Sequence, residues 1–397
     1  MNAAEEFLGV AADYQLGPLD TESQHPFTTS LSRLAREDVG EAIKLMHLVD
    51  VHAIRMMQAK SALLADLAHS VAATFAAGKR VFLCGCGATG RLSLSIEVFC
   101  RQGILPCPDP ERVVAFMAGG DLALIKAIET FEDHPEYGAR QLEELGFGTG
   151  DLLISSTEGG ETPFVIGATE RAAALSTNRP WFLYCNPDAP LALAAERSKR
   201  VLRNRKIRKL NLAVGPMALA GSTRMQASTV LMAAIGFAFM HQDDPENAPQ
   251  EVLQLLRHVA HCDGQFLAPF IEHEAQVYER GGLVLYESQR FGITVVTDTT
   301  ERAPTFSVAP FEKQDDASAP VSWSHFIMPE QPDARSAWQA LLRRTPRTLE
   351  WPDVKQTAGA EVLACYDFSA QLAEHREKRV PGAEHVTLRI EGGDMEM

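Results

Sequence analysis

Gly85, Gly87 and Gly90 enclose Cys86, Ala88 and Thr89 in the stretch Arg80 to Gln102, RVFLCGCGATGRLSLSIEVFCRQ. Three glycines at this spacing can bind an anion. Without a Cβ the backbone turns tightly and its N–H groups can converge. If a helix starts there, its first N–H groups have no intrahelical partner and the helix dipole adds positive potential. A phosphate satisfies both. Gly87, Thr89 and Gly90 are therefore candidate phosphate ligands, with the Thr89 hydroxyl and the Arg91 charge close by. The loop is not a Walker motif, since no Gly-Lys-Ser/Thr follows. Its glycines fit the dinucleotide fingerprint, but the ribose-binding acid would fall in the Pro-rich loop Leu105 to Pro110 rather than at a strand end. A purely structural glycine turn is the remaining alternative.

Other residues could add to such a site. Thr157 and Thr162 bracket a loop between an apolar run and a helical stretch, as phosphate ligands or as simple caps. Ser222 and Thr223 stand before a long apolar helix with the same two readings. Glu132 precedes Asp133 and Pro135 and, from its neighbours alone, reads as a solvated helix end. Glu301 is placed equally well in a site or in a surface loop. His258 and His261 are one helical turn apart beside Cys262, but no further ligands cluster with them, so no metal is expected. No cofactor is expected either. Cys84 and Cys86, one residue apart, read as small packing residues.

These residues need a scaffold, and the hydrophobic pattern supplies one. Short apolar runs at Val81–Cys84, Val113–Met117, Leu152–Ser156, Trp181–Cys185 and Leu210–Val214 read as strands. Helical stretches lie between them: Arg91–Gln102, Asp121–Phe131 with Glu136–Leu145, Thr162–Leu175 and Leu191–Arg200. A last helix is expected from about Ser222 to Met240. Such alternation predicts an α/β, doubly wound, Rossmann-like parallel sheet of five strands. Ligands of these sheets bind at the carboxyl ends of strands, where the glycine loop falls. Ahead of it, Asp38 is expected to cap a helix to about Val51. After a polar break at Asp243 to Asn247, a helical connector at Gln250–Glu279 leads to a second strand set: Leu283–Tyr286, Ile293–Thr297, His325–Met328, Val362–Tyr366 and Val386–Ile390. The expected division is an N-terminal arm with helices (1–78), a ligand-binding domain (79–242), a connector (243–280) and a shorter, degenerate repeat without the glycine loop (281–397).

Bulk properties narrow the classes. The chain has 397 residues, 46% hydrophobic and 22% charged, with a formal net charge of −15. Two globular domains fit that length, and the negative charge disfavours nucleic acid. No apolar run spans a membrane, the acidic N-terminus MNAAEEFLGV is unlike a signal peptide, and the seven cysteines are scattered. Together these lead to the expectation of a cytoplasmic protein with free thiols. Lys199 to Lys209, KRVLRNRKIRK, is a basic stretch in an acidic chain, read as a solvated loop or as a contact for an acidic protein partner.

Several ordered motifs together resemble sugar isomerase (SIS) domains. They are Arg80–Gln102, Ala118-Gly119-Gly120-Asp121, Glu129-Thr130-Phe131-Glu132-Asp133, Thr162-Pro163-Phe164-Val165, and Gly215-Pro216 followed by Gly221-Ser222-Thr223-Arg224-Met225. Within these domains the chain is similar to the branch that holds N-acetylmuramic acid 6-phosphate etherase and glucokinase regulatory protein. Pro26–Val51 resembles the arm of the regulatory protein, and Asp298-Thr299-Thr300-Glu301 with Thr305-Phe306 resembles a D-x-x-E…T-F segment of both. The resemblance implies a tandem SIS architecture and a phosphosugar ligand, a hexose or amino-sugar phosphate. Strand–helix alternation in both halves, neither obviously complete alone, leads to the expectation that they pack as a pseudo-dimer, and the asymmetry in what each half keeps leads to the expectation that Glu132 and Glu301 face one site; homo-oligomers are also compatible with this reading.

The departures from the family pattern bear on activity. Phe99 stands where the etherase helix carries a catalytic acid, whereas the matching base, Glu132, is present. Gln226 replaces a lysine. Glu161 stands where relatives have Ser or Arg, and a carboxylate there is expected to point away from phosphate. The second domain is expected to be shortened, since the eukaryotic regulators continue into a helical lid. A binding or regulatory module is thus the first expectation, an etherase-type lyase the second, and an aldose–ketose isomerase the third.

Overall fold

The structure, a computed structural model, describes residue 8, residues 16–128 and residues 131–391. Glu129 and Thr130 of the quoted motifs lie outside the described residues. The chain forms two compact units: Met1–Ala118 with Thr130–Gln265, and Gly119–Glu129 with Phe266–Met397. This division is interleaved, unlike the contiguous one expected from sequence. The physical reason is Asp121. Its buried carboxylate accepts from both terminal nitrogens of Arg344 and from the Arg347 backbone N–H, so the segment after Gly119 is tied to C-terminal residues.

In the first unit, helices α1 (Leu31–Glu37), α2 (Val39–Gln58) and α3 (Ser61–Ala76) precede the sheet. Asp38 caps α2 by accepting from the Glu41 N–H, and the helix continues a further two turns past Val51. Then follow β1 (Val81–Gly85), α4 (Gly87–Arg101), β2 (Val113–Met117), α5 (Pro135–Glu144) and β3 (Leu152–Ser156). The unit continues with α6 (Pro163–Leu175), β4 (Trp181–Tyr184), α7 (Asp188–Ala194), α8 (Glu196–Arg203) and β5 (Arg208–Asn211). It ends with α9 (Gln226–Met240) and α10 (Ala248–His261). The sheet is parallel in the order β2-β1-β3-β4-β5. Strands β1 to β4 are buried throughout, as a sheet covered on both faces requires. Helix α9 packs on α3 and α4, while α5 packs on α6. The strand order reverses between β1 and β3, so the loops after these two strands flank the crevice.

The second unit holds α11 (Ala268–Glu279), β6 (Leu283–Glu287), α12 (Gly292–Phe306), β7 (Ser324–Ile327), α13 (Ala334–Leu342) and, after three short helices, β8 (His385–Arg389). Its sheet is parallel with order β7-β6-β8.

Several boundaries differ from expectation. Ile293–Thr297 is helical: Ile293, Val296, Thr299 and Thr300 are buried at helical spacing, and that periodicity overrides the β-branched run. Val362–Tyr366 overlaps a short helix at Ala360–Ala364. The second sheet therefore has three strands among the described residues. Asp121 begins a 3-10 turn ending at Leu124 in place of the expected helix, because its side chain and N–H are engaged with Arg344 and Arg347. Strand β5 starts two residues before Leu210, with the Arg208 guanidinium 5.2 Å from the Trp181 ring centroid.

Candidate functional site

Strand β1 delivers the chain to Gly85, and each glycine of the turn then has its own steric reason. A Cβ at Gly85 would lie 2.2 Å from the Thr89 carbonyl carbon, because the strand end crosses the first helical turn. A Cβ at Gly90 would lie 2.5 Å from Met117 Cβ, so α4 can approach β2 only there. Gly87 instead has open space around it and a φ of +52°, a left-handed conformation that L side chains rarely adopt.

Helix α4 begins inside the glycine turn. The Thr89 hydroxyl donates to the Cys86 carbonyl at 2.9 Å and accepts from the Cys86 N–H at 3.0 Å. Thr89 is thus a buried brace of the turn. The N–H groups of Gly87 and Ala88 make no hydrogen bond among the described residues, and both residues are partly exposed. These two amides lie at the positive end of α4, an arrangement that can receive an anion. Arg91 is buried, at 4% exposure, which withdraws its side chain from the open side of the turn.

Across the crevice, the loop after β3 closes on itself. Thr157 Oγ1 lies 2.9 Å from Thr162 Oγ1 and accepts from the Gly160 N–H at 3.3 Å. Thr162 occupies the N-cap of α6 without capping it through its side chain. Ser156, fully buried at the end of β3, has a hydroxyl with no partner among the described residues. Ser222 and Thr223 are partly exposed in a turn, and α9 starts only at Gln226, so neither opens that helix as expected.

Gln226 is buried and holds its own loop. It donates to the Pro216 carbonyl at 2.6 Å and accepts from the Ala218 N–H at 3.1 Å. The N-terminal arm reaches the same loop. Gln24 Nε2 donates to the Ala218 carbonyl at 3.1 Å, and the Met217 and Ser23 backbones are bonded at 2.8 Å. Asn186, fully buried after β4, donates to the Thr21 hydroxyl and to the Gly159 carbonyl, both at 2.9 Å. The arm is thereby fastened to the loops after β3, β4 and β5. Asn186 and Gln24 carry no sequence signal of this role.

Carboxylates gather around the cradle. Glu132, exposed in a 3-10 turn, accepts from the Cys86 thiol with Sγ 3.5 Å from Oε2. Burial, and then the neighbouring Glu132, pushes the Cys86 thiol well above its ordinary range, so it stays a proton donor. Cys86 is therefore more than a packing residue, unlike Cys84, which is fully buried. Glu158 accepts from Ser228 at 2.8 Å. Glu161 turns back over Gly159 toward Arg197, whose terminal nitrogen is 3.4 Å from Oε2. Burial raises the Glu161 carboxyl, Arg197 opposes this, and Glu132 and Glu22 add to it. Phe99 is in the last turn of α4, with no acidic group in its place.

Glu301 belongs to the second unit, partly buried on α12 rather than in a surface loop. The basic stretch is also structured. Lys199 pairs with Glu196 and Arg200 with Glu170, while Lys209 donates to backbone carbonyls; Arg203, Arg205 and Lys206 are exposed. Among the described residues no group of three His, Cys, Asp or Glu is placed to hold a metal ion, and no helix is long and apolar enough to cross a membrane.

The family model described as the glucokinase regulatory protein N-terminal SIS domain matches residues 63–173. N-acetylmuramic acid 6-phosphate etherase from Aliivibrio fischeri is 31% identical over 217 residues, which is 54% of this chain and 66% of that protein. The protein of the same name from Synechococcus elongatus is 33% identical over 214 residues, 54% of this chain and 64% of that protein. The chain thus spans just under two thirds of the length of these relatives. A phosphoheptose isomerase from Francisella tularensis superposes with a TM-score of 0.34 at 17% identity, covering 51% of this chain and 97% of that one.

Proposed function

Because this chain belongs to the SIS-domain family, in the branch of N-acetylmuramic acid 6-phosphate etherase and glucokinase regulatory protein, we propose that it binds a hexose or amino-sugar phosphate. The phosphate is received on the amides of Gly87 and Ala88 in the turn Gly85 to Gly90. One observation carries this reading: two unpartnered amides open a helix at the switch point of the sheet. Thr89 and Gly90 shape the cradle, Arg91 contributes charge from within, and Thr157, Thr162, Ser222 and Thr223 supply hydroxyls at its border. Within residues 79–242, the parts that belong to the first unit, 79–118 and 130–242, carry these loops as the ligand-binding domain. Thermal unfolding with fructose 6-phosphate, glucosamine 6-phosphate and the unphosphorylated sugars tests this. At a hundredfold excess over its dissociation constant a ligand adds about 2.7 kcal/mol. The phosphorylated sugars should raise the midpoint by several degrees and the free sugars should not; equal shifts would remove the phosphate from the account.

The hydrogen bond from Cys86 to Glu132 favours a second reading, an etherase-type lyase. There Glu132 removes the proton next to the sugar carbonyl, and a protonated group assists departure of the ether oxygen. Incubation with N-acetylmuramic acid 6-phosphate and an assay for lactate separates it from a binding module with no chemistry. The exposed Arg203, Arg205 and Lys206 are the proposed contact for an acidic protein partner.

A further inference from the structure

The second unit contains a cavity of about 490 Å³ that the glycine-loop reading leaves unused. Helix α11 contributes Ile271 and Tyr278, α12 contributes Arg302 and Phe306, and the segment before β7 contributes Trp323. Helix α12 ends at Ser307 with φ of +54°, and the turn brings Val308 to Phe311 round to close the side. The walls are mainly apolar and aromatic. Trp323 and Tyr278 lie with ring centroids 5.7 Å apart at 38°. Cavities of about 300–1,000 Å³ with apolar walls and a few convergent polar groups are the usual form of small-molecule sites.

The polar groups here are concentrated at one edge. Glu274 accepts from Tyr278, Tyr286 and Arg302, the last at 2.8 Å. Arg302 also donates to the Tyr286 hydroxyl at 3.0 Å and has Asp298 at 3.6 Å. The guanidinium charge is thus answered within the protein, which disfavours an anionic ligand. The Glu274 and Asp298 carboxylates are in turn engaged by that guanidinium, which disfavours a cation. What the edge offers is an acceptor and a donor side by side, beneath aromatic walls. We infer that this cavity binds an uncharged planar ring compound that carries a donor and an acceptor on one edge, such as a ring amide.

Three isosteric probes differing only in charge test the inference on the full chain: benzamide, benzoate and benzamidine. Trp323 is 54% exposed, whereas Trp181, Trp338 and Trp351 are at most 4% exposed, so acrylamide quenching of tryptophan emission reports Trp323. Saturating benzamide should lower that quenching by about half, since a ring seated on one face of the indole covers it. Benzoate and benzamidine should be without effect at the same concentration. Ala303→Phe, and independently the rim substitution Ala275→Phe, should abolish the benzamide effect while the unfolding midpoint is kept in at least one of them. Equal protection by all three probes, or protection that survives both substitutions, would overturn the inference. So would sedimentation showing a dimer that Trp323→Ser dissociates, since the cavity would then be an interface between copies.

Discussion

The Sγ atom of Cys86 stands 3.5 Å from Oε2 of Glu132, joining the glycine turn after β1 to the short turn that follows β2. A thiol at a helix N-terminus is ordinarily acidified by the dipole. Here burial and the carboxylate act the other way, and the thiol is held protonated. Alkylation of Cys86 at pH 8, followed by peptide mapping, should therefore be slow, and Glu132→Gln should speed it several-fold by removing the negative charge. A slower reaction in Glu132→Gln would show that the carboxylate does not act on the thiol.

The three glycines of the turn should respond differently to alanine. At Gly85 the new methyl meets backbone 2.2 Å away and at Gly90 it meets Met117 2.5 Å away, so both should lose about 1–3 kcal/mol or more by overpacking. Gly87→Ala has room for its methyl and should lose only about 1 kcal/mol, from the left-handed backbone. Urea midpoints of the three variants rank these costs. A Gly87 variant less stable than the other two would contradict the steric assignment.

Strands β1 to β4 were legible because they are largely apolar runs separated by helical periodicity, and the ordered motifs carried the family with them; β5, with Arg208 and Lys209 in it, was placed less well. The second unit was less so. Ile293, Val295 and Val296 have strand propensity, but their burial follows a helix, and only tertiary packing decides between the two. The pairing of Asp121 with Arg344, more than two hundred residues apart, leaves no local trace, so the interleaving of the units could not be read. Within the candidate site, glycine spacing located the turn and the start of α4. The inward turn of Arg91 and the use of the Thr89 hydroxyl as a brace follow from side-chain directions that spacing does not encode.

Arg376 and Glu312 form an ion pair with both side chains fully buried, and Glu312 also accepts from the Ser322 N–H at 3.0 Å. Removing one partner strands a charge, so Arg376→Met should cost about 3–5 kcal/mol. Adding Glu312→Leu to that variant should return much of the loss. Chemical denaturation of the two single variants and the double variant forms the cycle. Additive losses would mean that the pair is not coupled.

His325 lies beneath Phe311 with ring centroids 3.6 Å apart. Burial lowers its pKa from 6.5 to about 4, against the pull of Glu312 and with the help of Arg376. The unfolded chain then binds a proton at higher pH than the folded one. The stability that neutral His325 contributes is complete above pH 6.5 and is lost as pH falls toward 4, by about 3 kcal/mol in all. His325→Gln should flatten this limb of the stability–pH curve between pH 6.5 and 4. An unchanged limb would assign it to other groups.

The central claim is that the Gly87 and Ala88 amides receive a phosphate, and calorimetric titration of fructose 6-phosphate into two matched variants tests it most directly. Gly87 has space for a side chain, and Asn and Asp both tolerate its left-handed backbone. Gly87→Asp places a carboxylate at the mouth of the cradle, and Gly87→Asn places its uncharged isostere there. Binding should be retained, though weakened, in Gly87→Asn and lost in Gly87→Asp. Equal affinity in the two variants and the parent chain would contradict the claim and place the phosphate elsewhere.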